Sequence, residues 1–167
     1  MWGQMVSFKG VKYAAVIGLA LALGACSSQS AQNGGVGAGG AGAATPGSAQ
    51  DFVVNVGDRV FFQSDSTDLT GDARNTLDKQ ATWLNQYARY TVTLEGHADE
   101  RGTREYNLSL SARRATVVRD YMIARGIAPT RLKTIPFGKE RPVAVCDDES
   151  CWSQNRRGVT VLNGAGS

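Results

Sequence analysis

The sequence predicts an α+β domain of two layers, with the helices packed on one face of a mixed sheet in the order β-α-β-α-β-β. Three observations predict it. Residues 70–88 and 105–124 carry apolar side chains at intervals of three and four, the spacing of amphipathic helices. Short runs rich in Val, Thr and Phe precede each of them, and two more close the chain with no helical period between them. Turn-forming Gly, Asp, Ser and Pro separate the runs.

Taken in order, the domain occupies residues 51–167. Its first strand is expected over residues 56–62, and Asp65, Ser66, Thr67, Asp68 and Thr70 crowd behind it as a turn that also offers helix caps. The first helix follows, its light stripe formed by Ala73, Leu77, Ala81, Leu84 and Ala88. Residues 90–95 alternate as a second strand with Val92 and Leu94 on one face. The second helix spans residues 105–124 and stops at Gly126. Pro129 opens a short turn, residues 133–137 make a third strand, residues 138–152 read as a loop, and residues 158–162 form the last strand.

The N-terminus reads as an address. Lys9 and Lys12 precede an apolar run at residues 13–23 that ends Leu23-Gly24-Ala25-Cys26, so residues 1–25 have the layout of a bacterial secretory signal. The run is too short for a span, which needs roughly 20 apolar residues. Leu-Gly-Ala before a cysteine resembles the lipobox of bacterial lipoproteins. That resemblance implies cleavage before Cys26, acylation of its thiol and amine, and, with Ser27 next, sorting to the outer membrane. Several acyl chains anchor durably where one does not. Residues 26–50, rich in Gly, Ala and Ser, have too little apolar surface to order themselves and read as a tether. A Gly-rich coil of that length reaches about 25–30 Å.

Charge excludes some functions. The net charge is +3 overall, and without the first 25 residues 16 basic side chains face 15 acidic ones. That balance offers no footprint for nucleic acid. Three cysteines and one histidine do not supply a multi-ligand metal site, the glycines lack phosphate-loop spacing, and no cofactor is expected. With Cys26 lipidated, Cys146 and Cys151 are left to form a disulfide in a secreted domain. Its small loop would contribute about 2 kcal/mol on the chain-entropy model.

The stretch from Glu95 to Arg114 holds the candidate site. Arg114 falls on the apolar stripe of the second helix, with Leu110 before it and Val117 and Tyr121 after it. A guanidinium there needs an anionic partner. Either Asp99 supplies it as an internal ion pair, or Arg114 clamps a ligand carboxylate while Asp99 takes the ligand's ammonium, as an amino-acid zwitterion requires. His97, with no second histidine, reads as a strand-end residue that holds the turn by hydrogen bonds. Glu95, Asp99, Glu100 and Glu105 contain the carboxylate pair a glycosidase would need. Set among Arg101, Arg104, Arg113 and Arg114, they read first as a solvated ion network.

The run Glu95-Gly96-His97-Ala98-Asp99-Glu100-Arg101-Gly102-Thr103, with Glu105-Tyr106-Asn107, Leu110 and Arg113-Arg114-Ala115, resembles the OmpA-like peptidoglycan-binding family. Within it the resemblance is to the lipoproteins that work with the Tol proteins. Val60-Phe61-Phe62 with Asp65 and Asp68, Phe137-Gly138-Lys139-Glu140-Arg141-Pro142 and Asn155-Arg156-Arg157 extend the match over residues 58–162. The resemblance implies a non-enzymatic wall anchor that binds the meso-diaminopimelate of the peptidoglycan stem peptide. Asp99 would take the ammonium and Arg114 the carboxylate, Asn107 and Leu110 would line the pocket, and Asp65, Ser66, Thr67 and Asp68 would add loop contacts. It departs from enteric members at Ser64, Ser66 and Thr67, where those carry bulkier side chains or a lysine. Asn155-Arg156-Arg157 is expected to be structural, at the sheet edge. TolB, other Tol-system proteins and the outer membrane are the implied partners, in envelope integrity and cell division. Rival readings are a wall-anchoring lipoprotein without Tol partners and a muramidase using Glu95 and Glu105.

Overall fold

The computed structural model describes residues 44–164. The expected signal peptide at residues 1–25, the lipidation site Cys26 and most of the tether lie outside the described residues. A short helix, α1 (Ala49–Asp51), is capped by the Ser48 hydroxyl and runs into a π turn at Phe52–Val56. There follow β1 (Arg59–Phe61), α2 (Gly71–Gln86), β2 (Thr91–His97) and α3 (Arg104–Ala124). A 3₁₀ turn at Pro129–Arg131 leads into β3 (Leu132–Gly138), then α4 (Glu149–Asn155) and β4 (Arg157–Asn163).

The caps act where their residue types predict. Thr70 accepts the Ala73 N–H at 3.1 Å to start α2, and Thr103 accepts the Tyr106 N–H at 3.2 Å to start α3. Gly126, at φ 91°, carries the chain out of α3. The strand order is β1-β4-β2-β3, with β2 and β3 parallel and β4 antiparallel to both its neighbours. The sheet is therefore mixed, as expected, and the last strand lies inside it. The core contains Leu77, Ala81 and Leu84 from α2, Val92 and Leu94 from β2, and Val118 and Met122 from α3.

Four expectations are corrected. The first strand begins at Arg59 and not at 56, because Val56 closes the π turn and Gly57 at φ 91° redirects the chain. Helix α2 ends at Gln86, leaving Ala88 exposed. The expected loop of residues 138–152 contains the start of α4, whose N-terminus is capped by the Asp148 carboxylate accepting from Ser150 N–H at 2.7 Å. The tether does not run to residue 50, since Gly47 is already bound. Its carbonyl accepts from Arg89 Nη2 at 2.6 Å and Tyr90 Oη at 2.7 Å, while its N–H donates to Asp51 Oδ2 at 2.8 Å. Trp83 Nε1 donates to the same carboxylate oxygen, so these residues form a clasp on the end of α2.

Two features of β2 fix α3 against the sheet. At Gly96 the helix backbone comes so close that an added Cβ would stand 1.9 Å from the Ser111 carbonyl oxygen. The next residue, His97, is 1% exposed and stacks on Phe137 with ring centroids 5.3 Å apart. Burial first, and then the charges of Arg157 and Arg141, push its imidazole from 6.5 down to about 4.

Both features are testable. Gly96→Ala must displace backbone, since no flexible side chain can yield, so it is expected to cost about 3 kcal/mol or more or to prevent folding. Urea melts of the variant, with a wild-type midpoint, would sink this. His97 is favoured neutral in the folded state. Its contribution is fully present above 6.5 and is lost as pH falls from there through about 4. On the order of 3 kcal/mol should disappear over that window, and His97→Gln should flatten the slope of stability against pH. An unchanged slope would refute the assignment.

Candidate functional site

The site gathers where β1 and β2 end and α3 begins. Arg114 is wholly buried, and α3 directs it toward both strand ends. Its Nε donates to the Ser66 carbonyl at 2.9 Å, Nη1 to the His97 carbonyl at 2.9 Å and Nη2 to the Gln63 carbonyl at 3.1 Å. The guanidinium lies 5.1 Å from the Phe62 ring centre. Among the described residues no carboxylate stands within 4.0 Å of it. Burial pushes its pKa down to about 10, opposed by the field of Asp99, so it stays charged at neutral pH. The internal Asp99–Arg114 ion pair, one of the two expectations, is absent.

Asp99 pairs elsewhere. Arg101 Nη2 lies 2.7 Å from Oδ2 and its Nε 3.3 Å from Oδ1, and the Arg101 backbone N–H donates to Oδ1 at 3.2 Å. Arg156 Nη1 reaches Oδ2 at 3.3 Å from the other side. Burial raises the Asp99 carboxyl, but the hydrogen bonds from Arg101 and Arg156 outweigh it and hold the group below the ordinary aspartate range. Arg156 is itself buried and donates to the Phe62 carbonyl at 3.1 Å and to Glu149. It does not lie at the sheet edge as expected, because the strand it opens lies second in the sheet.

Asp99, Arg114, Asn107, Leu110 and Asp65 line one cleft of about 210 Å³, together with Ser64, Arg101, Gly102 and Tyr106. Ser66 takes part through its carbonyl, while Thr67 and Asp68 are outside the cleft wall. Asn107 Nδ2 donates to the Arg101 carbonyl at 2.7 Å, which sets the turn that carries Arg101. The Tyr106 hydroxyl donates to Asp65, and Arg101 Nη2 donates to Ser64 Oγ at 3.0 Å, so the β1–α2 loop is tied to the far wall twice. Asp65 itself adopts φ 52°. Arg101 and Tyr106 went unassigned in the sequence, although both lie within the run that carried the resemblance.

The hydrogen bonds of His97 run mainly through its backbone. Its Nε2 is 3.4 Å from Glu95, its Nδ1 has no partner among the described residues, and its carbonyl is the group that meets Arg114. Glu95 and Glu105, the acids a muramidase would use, are outside the cleft wall. A larger groove of about 710 Å³ runs between β1, the start of α2 and α4, but its buried cation, Arg156, is already paired with Asp99 and Glu149. Cys146 and Cys151 are joined in a disulfide, as expected, with Cα atoms 5.6 Å apart at the entry to α4.

Residues 61–156 match the OmpA family. A protein of Mesorhizobium japonicum named peptidoglycan-associated lipoprotein is 63% identical over 149 residues, covering 88% of this chain and 89% of that one. One of the same name from Rhizobium meliloti is 61% identical over 165 residues, covering 98% and 93%. The crystal structure of the peptidoglycan-associated lipoprotein from Burkholderia pseudomallei aligns with a TM-score of 0.62 at 35% identity, over 64% of this chain and 90% of that one. The C-terminal domain of Helicobacter pylori MotB shares the fold, with a TM-score of 0.60 at 21% identity over 64% and 84%. On these matches the chain belongs to the OmpA family, among the proteins that carry the name peptidoglycan-associated lipoprotein.

Proposed function

We propose that this chain is an outer-membrane lipoprotein, anchored through Cys26 on the periplasmic side, that binds peptidoglycan without making or breaking a bond. The observation that carries the reading is the buried Arg114, a cation lining an open cleft with no carboxylate of the described residues within 4.0 Å. Such a group calls for an anion from outside. Its three carbonyl contacts fix the plane of the fork, so a carboxylate meets a preorganised bidentate partner. With Asp99 on the same cleft wall for an ammonium and Leu110 for methylenes, the complement is one amino-acid end of meso-diaminopimelate. Asn107 and the loop residues Asp65, Ser66, Thr67 and Asp68 would complete the surround. The names of the relatives support the wall as partner. The tether would span the gap between lipid and wall, and TolB and the other Tol proteins would recruit the complex to the dividing envelope.

Sedimentation with purified sacculi tests the site. Asp99→Ala and Arg114→Ala are each expected to bind about 30-fold more weakly or worse. Arg114→Lys keeps the charge without the fork, guards against misfolding and should also bind poorly. Wild-type pelleting by either alanine variant would sink the site assignment. Co-purification with TolB is expected from detergent extracts. A chain that pellets with sacculi but leaves TolB behind would favour the rival wall anchor, and release of soluble fragments from the sacculi would favour a muramidase.

A further inference from the structure

The Asp99 carboxylate is buried in the cleft wall, with its side chain 9% exposed. Two cations cover it, and they differ in how firmly they are held. Arg156 is 4% exposed and is fixed by the Phe62 carbonyl and by Glu149 as well as by Asp99. Arg101 is 41% exposed and stands on the cleft side. Apart from Asp99, among the described residues its guanidinium meets only the Ser64 hydroxyl at 3.0 Å and the face of Trp152, 4.2 Å from the ring centre. A ligand ammonium approaching through the cleft therefore meets Arg101 first.

We propose that Arg101 is a built-in stand-in for the ligand's ammonium, a positioning residue that the ligand must displace from Asp99. This rests on the reading of the cleft as a grip for an amino-acid zwitterion. In the free protein the guanidinium keeps the buried carboxylate paired and ionised. When an ammonium arrives, Arg101 gives up its bonds to Asp99 and Ser64 and stays over Trp152, where Glu100 and Glu149 receive its charge. Those acids already act on it, since their fields add to that of Asp99 in raising the Arg101 pKa, after the larger effects of the Asp99 hydrogen bond and opposing burial. Trp152 is held for the purpose: its indole N–H donates to Glu100, and α4 is stapled at its start by the Cys146–Cys151 bond. The exchange swaps one cation for another at a single carboxylate, so binding is reversible and only a free amine can drive it. An amine tied in an amide carries no charge and leaves Arg101 in place.

Calorimetric titration of the full-length lipoprotein in detergent with meso-diaminopimelate as the probe tests this. Arg101→Gln removes the competitor and is expected to tighten binding about threefold to tenfold at low salt, the gain shrinking as salt rises. Arg101→Lys, which restores a cation, should return to near the wild-type value. With di-N-acetylated diaminopimelate the gain of Arg101→Gln should vanish. Equal or weaker binding by Arg101→Gln, or a gain that survives acetylation, overturns the proposal while leaving the cleft reading intact. No binding of diaminopimelate by wild type or any variant overturns the cleft reading, and this proposal with it.

Discussion

The arrangement of the site depends on one buried guanidinium. Arg114 reaches three backbone carbonyls that belong to two separate stretches, Gln63 and Ser66 behind β1 and His97 at the end of β2. Each bond is charge-assisted, and the one to His97 is fully buried, where such bonds are strongest and where leaving the group unpaired is most costly. The loop after β1 is polar and partly exposed, so it has no apolar core of its own and is shaped by hydrogen bonds, those from Arg114 together with the Tyr106–Asp65 and Arg101–Ser64 ties. Arg114 holds the carbonyls on either side of Asp65, which adopts φ 52° between them. The same side chain thus shapes the wall of the cleft and supplies its unmatched charge.

Carbonyl partners and carboxylate partners do different things for a buried cation. A carboxylate would neutralise Arg114 and leave nothing for a ligand to do. Carbonyls take one N–H from each of its three nitrogens while leaving the charge, which is why the absent Asp99–Arg114 pair matters more than a missed contact would. Asp99 is kept away from Arg114 by its own cations, Arg101 and Arg156. Opposite charges held apart on one cleft wall suit a zwitterion, and the same charges bonded to each other would not.

How much of this was legible in the sequence follows from the range of the interactions. Helices α2 and α3 were readable because Thr70, Thr103 and Gly126 signal their ends locally and their apolar spacing is long enough to count. Helix α4 was not: its seven residues carry no apolar stripe. What holds it is tertiary, namely the disulfide, Glu149 on Arg156 and Trp152 on Glu100. Arg114 announced itself by standing on an apolar stripe, but its partners lie up to 51 residues away and are backbone atoms, which leave no trace in side-chain pattern. Arg156 likewise meets Asp99 across 57 residues, so the local pattern around Asn155-Arg156-Arg157 gives no sign of its place beside the cleft.

The two ends of β2 give the domain a mechanical direction. Gly47 is clasped by Arg89 and Tyr90, immediately before β2 starts, and Asp99 stands two residues after β2 ends. Seven strand residues at about 3.3 Å each separate them by roughly 20 Å. On the proposed reading, a load between lipid and wall enters the domain at the clasp and leaves through the cleft, along the length of that strand. β2 is flanked on both sides, by β4 and β3, so its ladders carry such a load in shear, with all their hydrogen bonds engaged together. An edge strand would be peeled from one end. The clasp at Gly47, which the composition of the tether gave no reason to expect, is what delivers the load to an interior strand.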